Sequence, residues 1–301
     1  MFDKLLDKLR NDTYITLETT PPHAPVFAPT IDKIEELGLH LLVDGFSATD
    51  NPLAKLKYNA LFAAKLLQDR FNKPVIATMS MRDRNKIALQ SDLLGANEFD
   101  VRAILALTGD PANISDQPHA KGVFEGDSSL LLDIITCFNS GINYAGKPFS
   151  VAPKPIMPFA VVNSYAKNPK TLQKKMQKKI KHGAVGIISQ PVYDIENAKM
   201  LLELMEAANE SYPNKEATLI LGLFPVTKLR TAQFISSHVP GIHVPQSWID
   251  KLIVANKHSP EEEYKVGFEL SKNLFDEIKA LHPKIHLMTA NQFQIAKDIL
   301  V

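Results

Sequence analysis

A single cysteine, Cys137, stands in 301 residues, which excludes an intramolecular disulfide framework and a cysteine-built metal site. No stretch approaches the ~20 consecutive apolar residues that a membrane-spanning helix needs. The N-terminus, M-F-D-K-L-L-D-K-L-R, interrupts its leucines with charges and lacks the apolar core of a secretory leader. Charge of one sign is missing too. Thirty-four basic side chains against 33 acidic leave a net charge of +1, so no overall field draws the chain to nucleic acid or an anionic membrane. No G-x-G-x-x-G turn occurs, which counts against an open doubly wound dinucleotide fold. The expectation is a soluble cytoplasmic protein with no metal and no nucleic-acid partner.

What is present is a regular alternation of short β-branched or aliphatic runs with amphipathic segments. Residues 2–10 space Phe2, Leu5, Leu6 and Leu9 as a lead-in helix, and residues 1–12 are set apart on that basis. Strands are then expected at 13–18, 40–43, 74–80, 102–107, 157–162, 184–190, 218–224 and 285–289. Helices are expected between them, including 29–38, a long one from Asn51 to about Gln68, and 259–281, which opens S-P-E-E-E with an N-cap serine and acids in its first turn. Eight such units without a linker predict a single (β/α)8 barrel over 13–301 with extra helices. An insertion at 240–256 carries Trp248, Ile249, Leu252 and Ile253, read as a subunit contact in a homo-oligomer.

Chemistry in such barrels sits at the carboxyl ends of the strands. Those ends supply Glu18, Ser47, Asp50, Thr78, Ser80, Asp110, Asn163, Gln190, Thr289 and Asn291. The set is acid and amide with no histidine pair at metal spacing, so it suits a neutral heterocycle better than a metal-bound water. Glu18 closes the run T-Y-I-T-L-E before T-T-P-P, where the prolines force the chain out of the sheet. By itself such an acid more often forms an ion pair or caps a loop than catalyses. G-I-N-Y-A-G-K at 141–147 has phosphate-loop spacing, yet Pro148 stands where a Ser or Thr would hold magnesium and no strand precedes it. The lysines of 170–181 read as a solvated helix face from which Lys178 or Lys179 could reach a bound phosphate. Cys137, beside Ile134 and Ile135, reads as a buried structural thiol.

Five segments, in order, resemble the methylenetetrahydrofolate reductases: L-E-T-T-P-P at 17–22, M-R-D-R-N-K-I-A-L-Q-S-D-L-L-G at 81–95, I-L-A-L-T-G-D-P at 104–111, I-S-Q-P-V-Y-D at 188–194 and G-L-F-P-V-T at 222–227. The likeness is to the reductase half of fused homocysteine methyltransferase–reductase proteins. It implies a (β/α)8 barrel that binds FAD, takes hydride from NADH or NADPH and reduces 5,10-methylenetetrahydrofolate to 5-methyltetrahydrofolate. By resemblance Glu18 is the acid that protonates N10 of the folate, and Asp110 lies between flavin and pterin. Gln190 binds the pterin, with Thr231 and Gln292 on the folate side. Ser47, Thr78, Leu107, Thr108, Gly109, Asn163, Lys178 and Lys179 fall on flavin-contacting positions. Thr78 stands where many members carry histidine, Gln292 where arginine is common and Thr231 where a glutamine is common. The segment V-V-N-S-Y-A-K-N at 161–168 differs from the usual flavin segment. Two alternatives stay open: a folate reductase taking hydride directly from a nicotinamide, and an inactive folate-binding or regulatory protein.

Overall fold

The computed structural model describes residues 1–301. Eight parallel strands close on themselves in sequence order, β1 next to β8. They are β1 (Tyr14–Thr19), β2 (Gly45–Ala48), β3 (Val75–Ser80), β4 (Ala103–Leu107), β5 (Met157–Val162), β6 (Gly186–Pro191), β7 (Thr218–Leu223) and β8 (Lys284–Leu287). Around them lie α1 (Phe2–Asn11), α2 (Ala28–Glu36), α3 (Leu39–Leu42), α4 (Ala60–Phe71), α5 (Lys86–Glu98) and α6 (Ser128–Asn139). The ring continues with α7 (Lys170–Lys181), α8 (Ile195–Glu210), α9 (Leu229–His238), α10 (Gln246–His258), α11 (Pro260–Leu281) and α12 (Phe293–Leu300). The chain is a (β/α)8 barrel, as its alternation predicts.

Strand periodicity divides the core in two. Ile15, Leu17, Phe46, Val75, Ala77, Ile104, Ile187, Leu219, Ile285 and Leu287 face outward and pack under the helices. Inside the barrel, Tyr14, Ile76, Ala103, Leu105, Met157, Phe159, Ile188 and Ile220 form a separate apolar plug. Phe2, Leu5 and Leu9 of α1 join that plug and seal the barrel's amino-terminal mouth. One step of two residues along β1 leads from apolar Tyr14 to Thr16 and then Glu18, so the interior turns polar toward the other mouth.

Two elements depart from expectation. The run at 40–43 is not the second strand. α2 stops by Gly38 and the chain turns at once into α3, where Leu39 is buried and Leu41 is 76% exposed. The actual strand, G-F-S-A, is built of small residues because its inward face must clear its neighbours, and it carries little hydrophobic signal. The long helix from Asn51 is also absent. A single 3-10 turn at Pro52–Ala54 replaces its start, with Asn51, Leu53 and Ala54 all at positive φ, and α4 begins where Asn59 caps the backbone N–H groups of Leu61 and Phe62. Leu53 and Leu56, read as its apolar face, are about half exposed.

Two of the four insertion residues, Trp248 and Leu252, turn inward, while Ile249 and Ile253 are partly buried. Trp248 sits edge-on to Tyr193 at 5.4 Å and Leu252 is fully buried, so their apolar surface goes to this chain's own core. Cys137 is only partly buried on α6.

A bulge between Ile188 and Pro191 interrupts the β6–β7 ladder and re-aims Gln190. Gly222 is the residue that permits it, since a Cβ there would lie 2.2 Å from the Ser189 carbonyl oxygen and 3.1 Å from the Gln190 carbonyl carbon. Gly222→Ala is therefore expected to cost about 1–3 kcal/mol. The check is a lower urea midpoint at unchanged m-value; an unchanged midpoint would show that the bulge does not depend on this glycine.

Candidate active site

At the carboxyl ends of the strands the barrel opens into a cavity of about 630 Å³. Glu18, Thr78, Leu107, Thr108, Gly109, Asp110, Asn163, Gln190, Lys178 and Lys179 all line it. Three residues assigned by resemblance do not. Ser47 is buried on β2, paired across the sheet with Glu18, with no hydrogen-bond partner for its Oγ. Thr231 lies in the first turn of α9, away from the cavity wall, and Gln292 is exposed just before α12.

At the deep end, Glu18 Oε2 lies 3.6 Å from Nε2 of His286, a nearly buried residue of β8. The opposite ring nitrogen, Nδ1, is 2.8 Å from Thr16 Oγ1, which can also donate to the Ile285 carbonyl at 3.4 Å. Either tautomer fixes the ring plane and leaves Nε2 directed at Glu18. No sequence motif marks His286; its inward position follows from its pairing with Thr16 across the β1–β8 seam. Asn291 clamps the rim beside it, accepting from Thr20 N at 2.9 Å and donating to Thr20 O at 2.7 Å.

The middle of the cavity is framed by ion pairs. Asp50 accepts from Ser80 N at 3.0 Å and from Arg84 Nη1 at 2.6 Å, and Arg84 Nε reaches Asp92 at 2.8 Å. Asp50 and Arg84 are both buried, and breaking such a pair from one side typically costs about 3–5 kcal/mol. Arg82, also buried, donates to Asp83 and to the Asn51 carbonyl, and the hydrogen bond to Asp83 keeps its guanidinium firmly charged. Gly109 has φ +92°, and a Cβ there would meet the Arg82 Cβ at 2.9 Å. Asp110 Oδ2 accepts from Leu53 N at 2.7 Å, tying β4 to the turn after β2. The buried hydroxyls of Thr49 and Ser80, both in the wall, have no partner within the chain.

The far end is basic. Lys175, Lys178 and Lys179 face Asp127 and Ser128, the start of α6. The Lys178 ammonium, 2.7 Å from Asp127, holds that carboxyl down to about 2, helped by the Ser129 N–H that the same carboxylate caps. Lys179 bonds only to Ser128 Oγ, and its burial, with Lys178 and Lys175 alongside, lowers its pKa. Lys178 is the only lysine of α7 in an ion pair. Lys170–Lys174, Lys174–Lys178 and Lys175–Lys179 are like-charge neighbours at i,i+4, each costing the helix about 0.2–0.5 kcal/mol.

These features define a single (β/α)8 barrel protein with its site at the carboxyl-end mouth. The chain belongs to the methylenetetrahydrofolate reductase family, whose model, described as methylenetetrahydrofolate reductase, matches residues 2–301. It is 24% identical over 280 residues to methylenetetrahydrofolate reductase 1 of Schizosaccharomyces pombe, covering 90% of this chain and 42% of that protein. The chain thus spans about two fifths of that relative's length. Its fold is similar to that of an uncharacterized protein from Clostridium thermocellum, described as binding two copies of 5-methyl-5,6,7,8-tetrahydrofolic acid. That match has a TM-score of 0.64 at 17% identity and covers 98% of each chain.

Asp127 gives a pH-dependent signature. Its carboxyl is depressed in the folded state, so the stabilisation is present above the ordinary value of 3.8 and is lost as pH falls toward about 2. Asp127→Asn is expected to flatten that acid limb, by less than about 1 kcal/mol because both partners are half exposed. Urea midpoints of the two proteins at about pH 5 and about pH 3 measure it. Parallel midpoints would mean that the ion pair contributes nothing.

Proposed function

We propose that this chain reduces 5,10-methylenetetrahydrofolate to 5-methyltetrahydrofolate, with FAD passing hydride from NADH or NADPH. The observation that carries this reading is the convergence of Glu18, Gln190 and His286, from three different strands, on the inner end of one cavity. A folate needs there one acid to protonate N10 and an amide to hold the pterin edge. Opening of the imidazolidine ring then leaves an iminium on the substrate, the form able to accept hydride. On this reading Glu18 gives the proton. His286, fixed by Thr16, is the neighbouring group through which Glu18 can be oriented and reprotonated. Gln190 offers both a donor and an acceptor to the pterin.

The remaining wall fits a flavin dinucleotide. The unpartnered hydroxyls of Thr49 and Ser80 and the backbone at Thr108–Gly109 would hold the polar edge of its ring, and Lys175, Lys178 and Lys179 its diphosphate. Flavin would supply two-electron hydride chemistry between nicotinamide and folate. Asp110 would stand between the two ligands. Its hold on Leu53 keeps that carboxylate in place before either arrives.

Two measurements test the reading. The purified protein should carry flavin absorbance and reduce methylenetetrahydrofolate with NADH or NADPH. A colourless but active preparation would instead favour direct transfer from nicotinamide, and folate binding without turnover would favour a binding protein. Glu18→Gln should lower folate reduction by about 10²- to 10⁴-fold while leaving nicotinamide-to-flavin transfer nearly intact. If both half-reactions fell together, Glu18 would not be the proton donor.

A further inference from the structure

The link between β7 and β8 makes a contact that closing the barrel does not require. In a ring ordered β5, β6, β7, β8, that link has its place beside the last two strands. Residues 239–245, between α9 and α10, instead reach past β6 to the segment that leaves β5. The Gly241 carbonyl accepts from Tyr165 N at 2.9 Å. The Ser164 hydroxyl, on a fully buried residue, donates to the Pro191 carbonyl at 2.6 Å, with the Gly241 carbonyl 3.3 Å away. The ring of His243, an exposed residue, stacks on Tyr165 at 5.0 Å. Ile242 and Val244 alternate with these residues and are buried in the main core, so the strap is anchored from below.

Inside the cavity, the strap touches Asn163. The side chain of Asn163 lies against Gly241, where a Cβ would be 2.2 Å from its Nδ2 and 2.7 Å from its Cβ. Gly241 also has φ +85°, a conformation that residues with a side chain rarely adopt. Asn163 lines the cavity, and its amide has no hydrogen-bond partner within the chain, which leaves its donors and its acceptor to a ligand. A free asparagine at a strand end would lose rotamer entropy on binding, a cost that the strap removes beforehand. We propose that Gly241 is a positioning residue of the cavity, holding the Asn163 amide in the orientation in which it bonds the flavin. This inference rests on the flavin reading above.

The test is a double-mutant cycle, read by titrating the dialysed full chain with FAD and following flavin fluorescence. Gly241→Ala should weaken FAD binding by about tenfold, the loss expected when one or two neutral hydrogen bonds go. Asn163→Ala should cost about the same, and the double variant no more than either alone. The urea midpoint supplies the contrast, since Gly241→Ala should lower it with or without Asn163, the strain at positive φ being present in both. His243→Ala, at an exposed residue, loosens the same strap and should weaken FAD binding by about threefold, again only while Asn163 is present. Should Gly241→Ala fail to fold, His243→Ala decides. Unchanged FAD affinity in the strap variants, or losses that add to that of Asn163→Ala, would overturn the proposal. No FAD binding by the unsubstituted chain would overturn the flavin reading itself.

Discussion

The pairing of β1 with β8 sets Thr16 beside His286, and that register joins residues 270 positions apart into one site. Parallel strands place side chains of matched residues on the same face. Glu18, two residues beyond Thr16, therefore rises above His286 on the inner wall. A one-residue slip of β1 would turn Thr16 and Glu18 outward under the helices and bring Leu17 into the cavity, and a slip of β8 would do the same with His286 and Leu287. The apolar outer face forbids that slip, because Ile15, Leu17, Ile285 and Leu287 are all buried against the helical layer. Packing on one face of the seam thus positions chemistry on the other.

The barrel interior changes character along its axis. Below, α1 and the large side chains Tyr14 and Phe159 exclude water, and burial pushes the Tyr14 hydroxyl far up, so it stays neutral. Above, the wall is polar, and two of its buried hydroxyls, on Thr49 and Ser80, have no partner in the chain. A buried polar atom left unpaired costs roughly 1–3 kcal/mol, so this mouth gains most from a ligand that supplies the missing bonds. The same gradient gives Glu18 a dry floor beneath it and a ligand-sized space above.

How much of this could be read from residues alone depended on how each signal is encoded. Glu18, Asp110 and Gln190 were legible because each ends an aliphatic run, and such an ending marks a strand leaving the sheet. β2 was not, since G-F-S-A owes its place to small size in a crowded ring, while the more hydrophobic H-L-L-V lies half in solvent as α3. His286 and Asp127 carry no local signal at all. One is defined by the seam and the other by the neighbouring helix, α7. Thr231 and Gln292 are the opposite case, a positional likeness at residues outside the cavity lining.

The turn after β2 is where site and strain meet. Asn51, Leu53 and Ala54 occupy left-handed backbone conformations that cost of order 1 kcal/mol or more each for residues with a side chain. Within the turn, Asn51 Oδ1 accepts from Lys57 N at 2.8 Å and the Pro52 carbonyl from Lys55 N at 3.2 Å. Further bonds come from across the mouth: Asp110 accepts from Leu53 N, Arg82 donates to Asn51 O, Ser115 to Ala54 O, and Asp116 accepts from Leu56 N. β3, β4 and the long loop after β4 together impose a shape that this segment would not adopt alone. Asp110 is therefore both a wall of the cavity and a support for the turn beside it, and the two roles share one carboxylate. A ligand that took Asp110 Oδ2 would displace the Leu53 N–H and so remove one of the bonds that hold 51–54 in this shape.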